Sequence, residues 1–258
     1  MELFYTNNIS DGIATLDPGE STHCVRVLRH REGDIINITD GVGFVYSARI
    51  TEAKPAGVKA EVLTREAGHD NRGYTLHMAV ALTKNFERFE WFLEKAVEIG
   101  VDRITPLVCD HSERRVFKYD RAHRIILSAA KQSLKSVLPV LDDVTKASEL
   151  LEMIADQGST PRQERGLNIM GHCREGEKSS LPSILRGFGP VQGGKAKILI
   201  MIGPEGDFSV EEISKAKEAG FSIMHLGESR MRVETAAIAS VGAVYIDYLD
   251  SRDYLDKR

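Results

Sequence analysis

The stretch Ala196-Lys197-Ile198-Leu199-Ile200-Met201-Ile202-Gly203-Pro204-Glu205-Gly206-Asp207-Phe208-Ser209 decides how this chain is read. Its first half is a short, almost wholly apolar run, the pattern of a strand buried on both faces. Ser209 with Glu212 three residues later forms a capping box, so a helix starts as soon as the loop 203–208 ends, and Gly220 closes it. A second unit of the same kind follows: a strand over 222–226, a loop over 227–233 and an alanine-rich helix over 234–249. Two consecutive strands thus end in glycine-bearing loops, the place where α/β sheets gather ligands. Glycine lets backbone approach a ligand closely, and free N–H groups at a helix start bind acceptor atoms. The alternative is a pair of ordinary strand-to-helix turns. Neither loop has Rossmann or Walker A spacing, which argues against dinucleotide and nucleoside triphosphate chemistry.

Working outward, residues 76–82 form a near-continuous apolar strand, and 86–99 read as a helix with apolar positions at Phe89, Phe92, Leu93, Ala96 and Val97. Gly100 ends that helix and 104–108 supply the next strand, a βαβ unit with a parallel sheet. A helix over 121–137 and a strand over 167–170 come next. Residues 1–70 differ: strands at 35–39, 44–50 and 58–64, with an Asp40-Gly41 turn, predict a small β-barrel or curled sheet. The polar segment 66–73 reads as a linker, giving two domains, 1–70 and 71–258.

At 258 residues and 42% hydrophobic content the chain has apolar material for two such cores. No run of about 18 apolar residues predicts a membrane span, and the opening Met1-Glu2-Leu3-Phe4 carries no export pattern. Cys24, Cys109 and Cys173 lack the paired spacing of a zinc site or disulfide framework, so no metal is expected and a reducing cytoplasm fits. A net charge of −4 excludes a protein that holds nucleic acid by being basic all over, while permitting a local basic surface.

The order Ile202-Gly203-Pro204-Glu205-Gly206, then Leu226-Gly227, then Arg232-Val233-Glu234-Thr235-Ala236 resembles the C-terminal signature of the RsmE family, 16S rRNA uridine-N3 methyltransferases. The similarity also touches His23 to Arg29 with Gly33-Asp34, Glu94 to Gly100, and Gln132-Ser133 with Pro139, nearly the whole chain. The resemblance implies a PUA-like N-terminal β-barrel that binds RNA and a C-terminal SPOUT α/β domain tied in a trefoil knot, which ordinary chain-connectivity rules would not suggest. It also implies a homodimer and S-adenosylmethionine as cofactor, held by Met170, Gly171 and His172, by Ile202, Gly203, Pro204, Glu205 and Gly206, and by Leu226, Gly227 and Met231. This chain departs from the family pattern at Asp207, where a second glycine is common, and at Ser229, where an arginine is usual. It also reads Lys131-Gln132-Ser133-Leu134-Lys135 where the family has Glu-Gln-Ser-Gly-Arg.

Residues 114–135 hold Arg114, Arg115, Lys118, Arg121, Arg124, Lys131 and Lys135 against the single acid Asp120, a tract suited to phosphates, or else a solvated helix face. Arg26, Arg29 and Arg31 form a second cluster with His23 and His30. The expected partner is 16S rRNA in the small ribosomal subunit, with another RNA, or RNA binding without catalysis, as the alternatives. Uridine N3 is protonated at neutral pH, so Arg232 is expected to stabilise the developing anion and Glu234 to orient it or to begin the last helix. His77, His225 and the Cys109/His111 and Cys173/His172 neighbours read as structural or incidental.

Overall fold

The computed structural model describes residues 2–68, 72–156, 166–188 and 195–250. Contacts divide the chain into two units, Met1–Asn71 with Ile126–Leu138, and Arg72–Ile125 with Pro139–Arg258.

In the first unit β1 (Leu3–Tyr5), β2 (Ile9–Ser10), β3 (Ile13–Thr15), β4 (Ile35–Thr39), β5 (Phe44–Lys54) and β6 (Gly57–Ala67) form one sheet in the order β1-β4-β5-β6-β3-β2. Only the β1–β4 pair is parallel. Alternation decides which face is buried: Ile36 and Ile38 of β4, Tyr46, Ala48 and Ile50 of β5 and Val58 and Ala60 of β6 point into one core with Phe4 and Leu16. Register shifts at Ser47/Ala48 and Ile50/Glu52 bend the long β5–β6 hairpin, which curls the sheet around that core.

The short helix α1 (Pro18–Thr22) starts on Asp17, whose carboxylate accepts the Glu20 N–H at 2.8 Å. Proline at its first position reinforces the start. It runs into a π-helical turn, His23–Val27, after which Arg29 takes a positive φ of 63°.

Residues Ile126–Leu138 complete this unit. Lys131 pairs with the carboxylate of Glu20, which also accepts the Tyr5 N–H at 3.0 Å. Gly43 and Thr39 both donate to the Ser136 carbonyl, at 3.0 and 3.1 Å.

The second unit contains β7 (Tyr74–Ala81), α2 (Phe86–Ile99), β8 (Arg103–Val108), the start of α3 (Tyr119–Gln132), β9 (Val140–Leu141), β10 (Thr145–Lys146) and α4 (Ala147–Ala155). After these come β11 (Leu167–Gly171), β12 (Ser179–Ser180), α5 (Leu181–Phe188), β13 (Ala196–Ile202), α6 (Val210–Glu218), β14 (Ser222–His225) and α7 (Val233–Asp250). The sheet order is β10-β8-β7-β13-β11-β14-β12, with β9 on β8. Every pair is parallel.

One face of this sheet is covered by an apolar cluster that includes Leu150 and Leu151 of α4 and Ile213 and Ala216 of α6. On α7 lie α2 and the strands β7 and β13. The sequence's helical stripe on α2, Phe89, Phe92, Leu93, Ala96 and Val97, is buried, whereas Trp91 is 44% exposed. Among the described residues no helix is long and apolar enough to cross a membrane.

Three expectations shift. Helix α3 stops at Gln132 rather than 137, because Leu134 adopts a left-handed φ of 56°. The N–H groups of Lys135 and Leu134 then close on the carbonyls of Ala130 and Lys131, at 2.8 and 3.1 Å. That is a Schellman ending, formed here by leucine. Strand β6 continues to Ala67, into the expected linker 66–73, of which 69–71 lie outside the described residues. Helices α1, α4 and α5 were not expected.

A polar network crosses β7 and β8. His77 Nε2 lies 2.6 Å from Thr105 Oγ1, Thr105 donates to Asp142, and Arg103 Nε donates to Asp142 Oδ2 at 2.7 Å. Burial, with the Arg103 charge adding to it, pushes the His77 imidazole down to about 4 against the opposing pull of Asp142. The unfolded chain therefore takes up this proton first, and stability present above pH 6.5 is lost as pH falls toward 4. We expect the free energy of unfolding to drop by roughly 1–2 kcal/mol between pH 7 and pH 5 through this group. His77→Gln should flatten that slope in urea titrations at the two pH values.

Candidate functional site

Because the strands are parallel, their carboxyl ends share one edge, and β13 sits between β7 and β11 with Ile202 opposite both Val80 and Gly171. The chain leaving β13 therefore emerges near the middle of that edge. Three segments line a cleft of about 860 Å³ there: residues 171–174 with Lys178, residues 202–205 with Asp207, and residues 224–233 with Ala236. The size suits a nucleoside-sized ligand.

Local chemistry fixes the loop after β13. A Cβ on Gly203 would stand 2.9 Å from the buried Phe208 ring, so only glycine lets the chain turn there. Glu205 Oε1 accepts the Lys84 N–H at 3.1 Å, and Gly206 backs onto His111. The expected capping box is present: Ser209 and Glu212 exchange hydrogen bonds, and Ser209 Oγ also donates to Asp110 Oδ2 at 2.6 Å. Burial raises the Glu212 carboxyl against the backbone N–H groups of Ser209 and Asp110 that stabilise its charge. In the loop after β14, Gly227 has a φ of 110°, a conformation that favours glycine.

Most of the residues expected around a cofactor meet here: Gly171, His172, Ile202, Gly203, Pro204, Glu205, Leu226, Gly227 and Met231 all line the cleft. Met170 and Gly206 do not. The Met170 side chain is buried in the apolar cluster. Both ring nitrogens of His172 are buried and have no hydrogen-bond partner among the described residues. Burial, with Lys178, Lys217 and Arg174 nearby, lowers the His172 pKa, while Asp207 opposes them. The neutral ring is therefore a donor and acceptor waiting for a partner.

Arg232 lines the cleft, is exposed, and its carbonyl accepts the Ala236 N–H at 2.8 Å, so it opens α7. Glu234 does not line the cleft. It is 8% exposed in the first turn of α7, with Oε1 3.8 Å from Arg88 Nε. Sequence reasoning passed over Arg174, Lys178 and Arg230, three cations of the lining. Their signal was a polar run directly after an apolar strand end. Among the described residues no group of three or more His, Cys, Asp or Glu side chains could hold a metal ion.

The basic residues divide by role. In the first unit Arg26 and Arg29 are exposed, while Lys131 is spent on Glu20, with side-chain exposures of 21% and 9%. Lys135 is half-buried. In the second unit Arg115 and Arg124 are exposed, the latter donating to the Asp120 carbonyl at 3.2 Å. Arg114 donates to the Lys84 carbonyl at 3.1 Å and lies over the Phe86 ring.

The profile of a family described as RNA methyltransferase domain matches residues 70–245, and one described as RNA methyltransferase PUA domain matches residues 16–63. A ribosomal RNA small subunit methyltransferase E from Mycobacterium bovis is 28% identical over 250 residues, 94% of this chain and 90% of its own. The crystal structure of a probable rRNA-methyltransferase from Porphyromonas gingivalis is 34% identical, with a TM-score of 0.84 over 98% of this chain and 100% of that one. That of a ribosomal RNA small subunit methyltransferase E from Neisseria gonorrhoeae, bound to S-adenosyl methionine, is 25% identical, with a TM-score of 0.77 over 95% and 97%.

Two substitutions separate loop geometry from charge. Gly203→Ala should cost about 1–3 kcal/mol of stability through its clash with Phe208, read as a lower urea midpoint with an unchanged slope. Lys131→Met should cost a similar 1–3 kcal/mol by stranding the Glu20 carboxylate. Adding Glu20→Gln should recover most of that loss; if it does not, the pair is not what stabilises the unit.

Proposed function

We propose, from the premise that this chain belongs to the RNA methyltransferase family and to its RsmE branch, that it uses S-adenosylmethionine to methylate N3 of a uridine in 16S rRNA. The observation that carries the reading is the cleft at the ends of β11, β13 and β14, with Gly203 and Gly227 at its turns and the unpartnered His172 ring in its wall. A relative whose structure holds S-adenosyl methionine has the same fold over 95% of this chain.

When bound, this cofactor supplies a methyl group already activated by a positively charged sulfur. The backbone of Gly203, Leu226, Gly227 and Met231 would hold the adenine and ribose, and the neutral His172 ring would satisfy its open nitrogens on the same ligand. With methyl activation supplied, the chain has to orient the base and ease the loss of one proton. Arg232, exposed at the cleft, would place positive charge beside the carbonyl oxygens flanking N3, favouring the deprotonated base. Glu234, buried beside Arg88, supports the start of α7 without touching substrate.

Exposed Arg26 and Arg29 in the PUA-type unit, with Arg115 and Arg124 in the α/β unit, would hold RNA phosphates. The same reading includes a cytoplasmic homodimer and a trefoil knot. The placement of β13 between β7 and β11, with the later β14 beyond β11, supports the knot. The side chain of Ile246 on α7, 59% exposed, supports an apolar contact on that helix.

Calorimetry should give S-adenosylmethionine binding, and labelled cofactor with small-subunit particles lacking the modification should yield N3-methyluridine. No binding at millimolar cofactor would sink the enzyme reading. Arg232→Ala should cut methyl transfer by about 100-fold or more, the scale of a lost charge-stabilising group, with cofactor affinity changed little. Equal loss of both would remove Arg232 from the reaction.

A further inference from the structure

Asp207 stands at a left-handed φ of 66°, a conformation that aspartate tolerates better than most residues but that still carries strain. Its side chain works in two directions. Oδ2 accepts the Cys173 N–H at 2.9 Å, reaching from the loop after β13 to the segment after β11. Oδ1 accepts the N–H of Phe208 at 2.9 Å, which fixes the carboxylate's orientation. The residue's own carbonyl takes a hydrogen bond from His111 Nδ1 at 3.1 Å, and its N–H donates to Pro204 at 2.9 Å. Arg174 adds a parallel tie, with Nε donating to the Phe208 carbonyl at 3.0 Å.

Asp207, His172, Cys173 and Arg174 all line the cleft, so these ties run between two of its walls. The peptide N–H of Cys173 follows His172 directly, and fixing it fixes the backbone that carries the unpartnered ring. A charged acceptor on a backbone N–H is a strong hydrogen bond, and no neutral side chain of that length supplies two acceptor oxygens at once.

We propose that Asp207, standing where the family commonly has glycine, is a positioning residue for cofactor binding in this chain: its carboxylate clamps the His172-Cys173 backbone to the Gly203–Phe208 loop and holds the two walls in register for S-adenosylmethionine. The inference rests on the cofactor assigned above. The strain at φ 66° is offset by the two N–H groups the carboxylate satisfies.

The test compares Asp207→Gly and Asp207→Asn in the full chain. Glycine relaxes the backbone while removing both acceptors; asparagine tolerates the same φ and retains one carbonyl oxygen for Cys173. Asp207→Gly should weaken S-adenosylmethionine binding about 10-fold or more, the worth of one charge-assisted hydrogen bond. It should raise KM for the cofactor while leaving kcat at saturating cofactor near that of the parent. Amide exchange at Cys173 in the unliganded protein should speed up by a similar factor, and Asp207→Asn should restore affinity to within about threefold of the parent. Parent binding that Asp207→Gly leaves within twofold overturns this inference alone. Absence of binding in the parent overturns the cofactor reading, and the positioning role with it. The asparagine variant decides if the glycine variant does not fold: an affinity loss of about 10-fold or more with Asp207→Asn would also overturn the clamp.

Discussion

Every ladder of the larger sheet is parallel, and that constraint places everything else in the α/β unit. Parallel strands need crossovers, the crossovers here carry helices onto both faces, and both faces must then be apolar. β13 meets this with Ile198, Ile200 and Ile202 alternating with Leu199 and Met201, all buried. The polar requirements of the chain are displaced to the strand ends. There the loops after β11, β13 and β14 must satisfy their own backbone groups while leaving a space open.

They do so mainly through side chains. Asp207, Ser209, Glu212, Asp110 and His111 tie loops 109–112 and 203–209 together with hydrogen bonds, and Glu205 accepts the Lys84 N–H. Glu212 illustrates the cost of such an arrangement. Its carboxyl is raised by burial, yet it serves two backbone N–H groups, so the loop trades a desolvated acid for an ordered turn. Glycines at 203 and 227 do the complementary work of keeping atoms out. Rigid walls and an unfilled interior follow from the same set of residues.

Much of this was legible locally. The apolar run of β13, the capping box at Ser209 and the buried stripe of α2 are short-range patterns, and each lies where the pattern places it. The loops that line the cleft were also identifiable from glycine placed directly after a strand. What escaped was of two kinds. Leucine at position 134 carries none of the usual signal for a helix end, since its left-handed φ is imposed by the Lys135 and Leu134 hydrogen bonds. Partners far apart in sequence were equally hidden: nothing near Lys131 announces its pairing with Glu20, 111 residues away. Adjacent residues of a strand also diverge: Met170 is buried in the apolar cluster while its neighbour Gly171 lines the cleft.

The dependence of the curled sheet on Ile126–Leu138 bears on how such a protein can be inherited and rearranged. Glu20, Thr39 and Gly43 take their partners from a stretch that begins more than fifty residues after β6 has ended. A gene fusion that moved residues 1–71 onto another protein would leave behind the cation and the carbonyl those groups use. The sheet is therefore not a portable cassette, and its history is bound to that of the α/β unit whose chain it borrows.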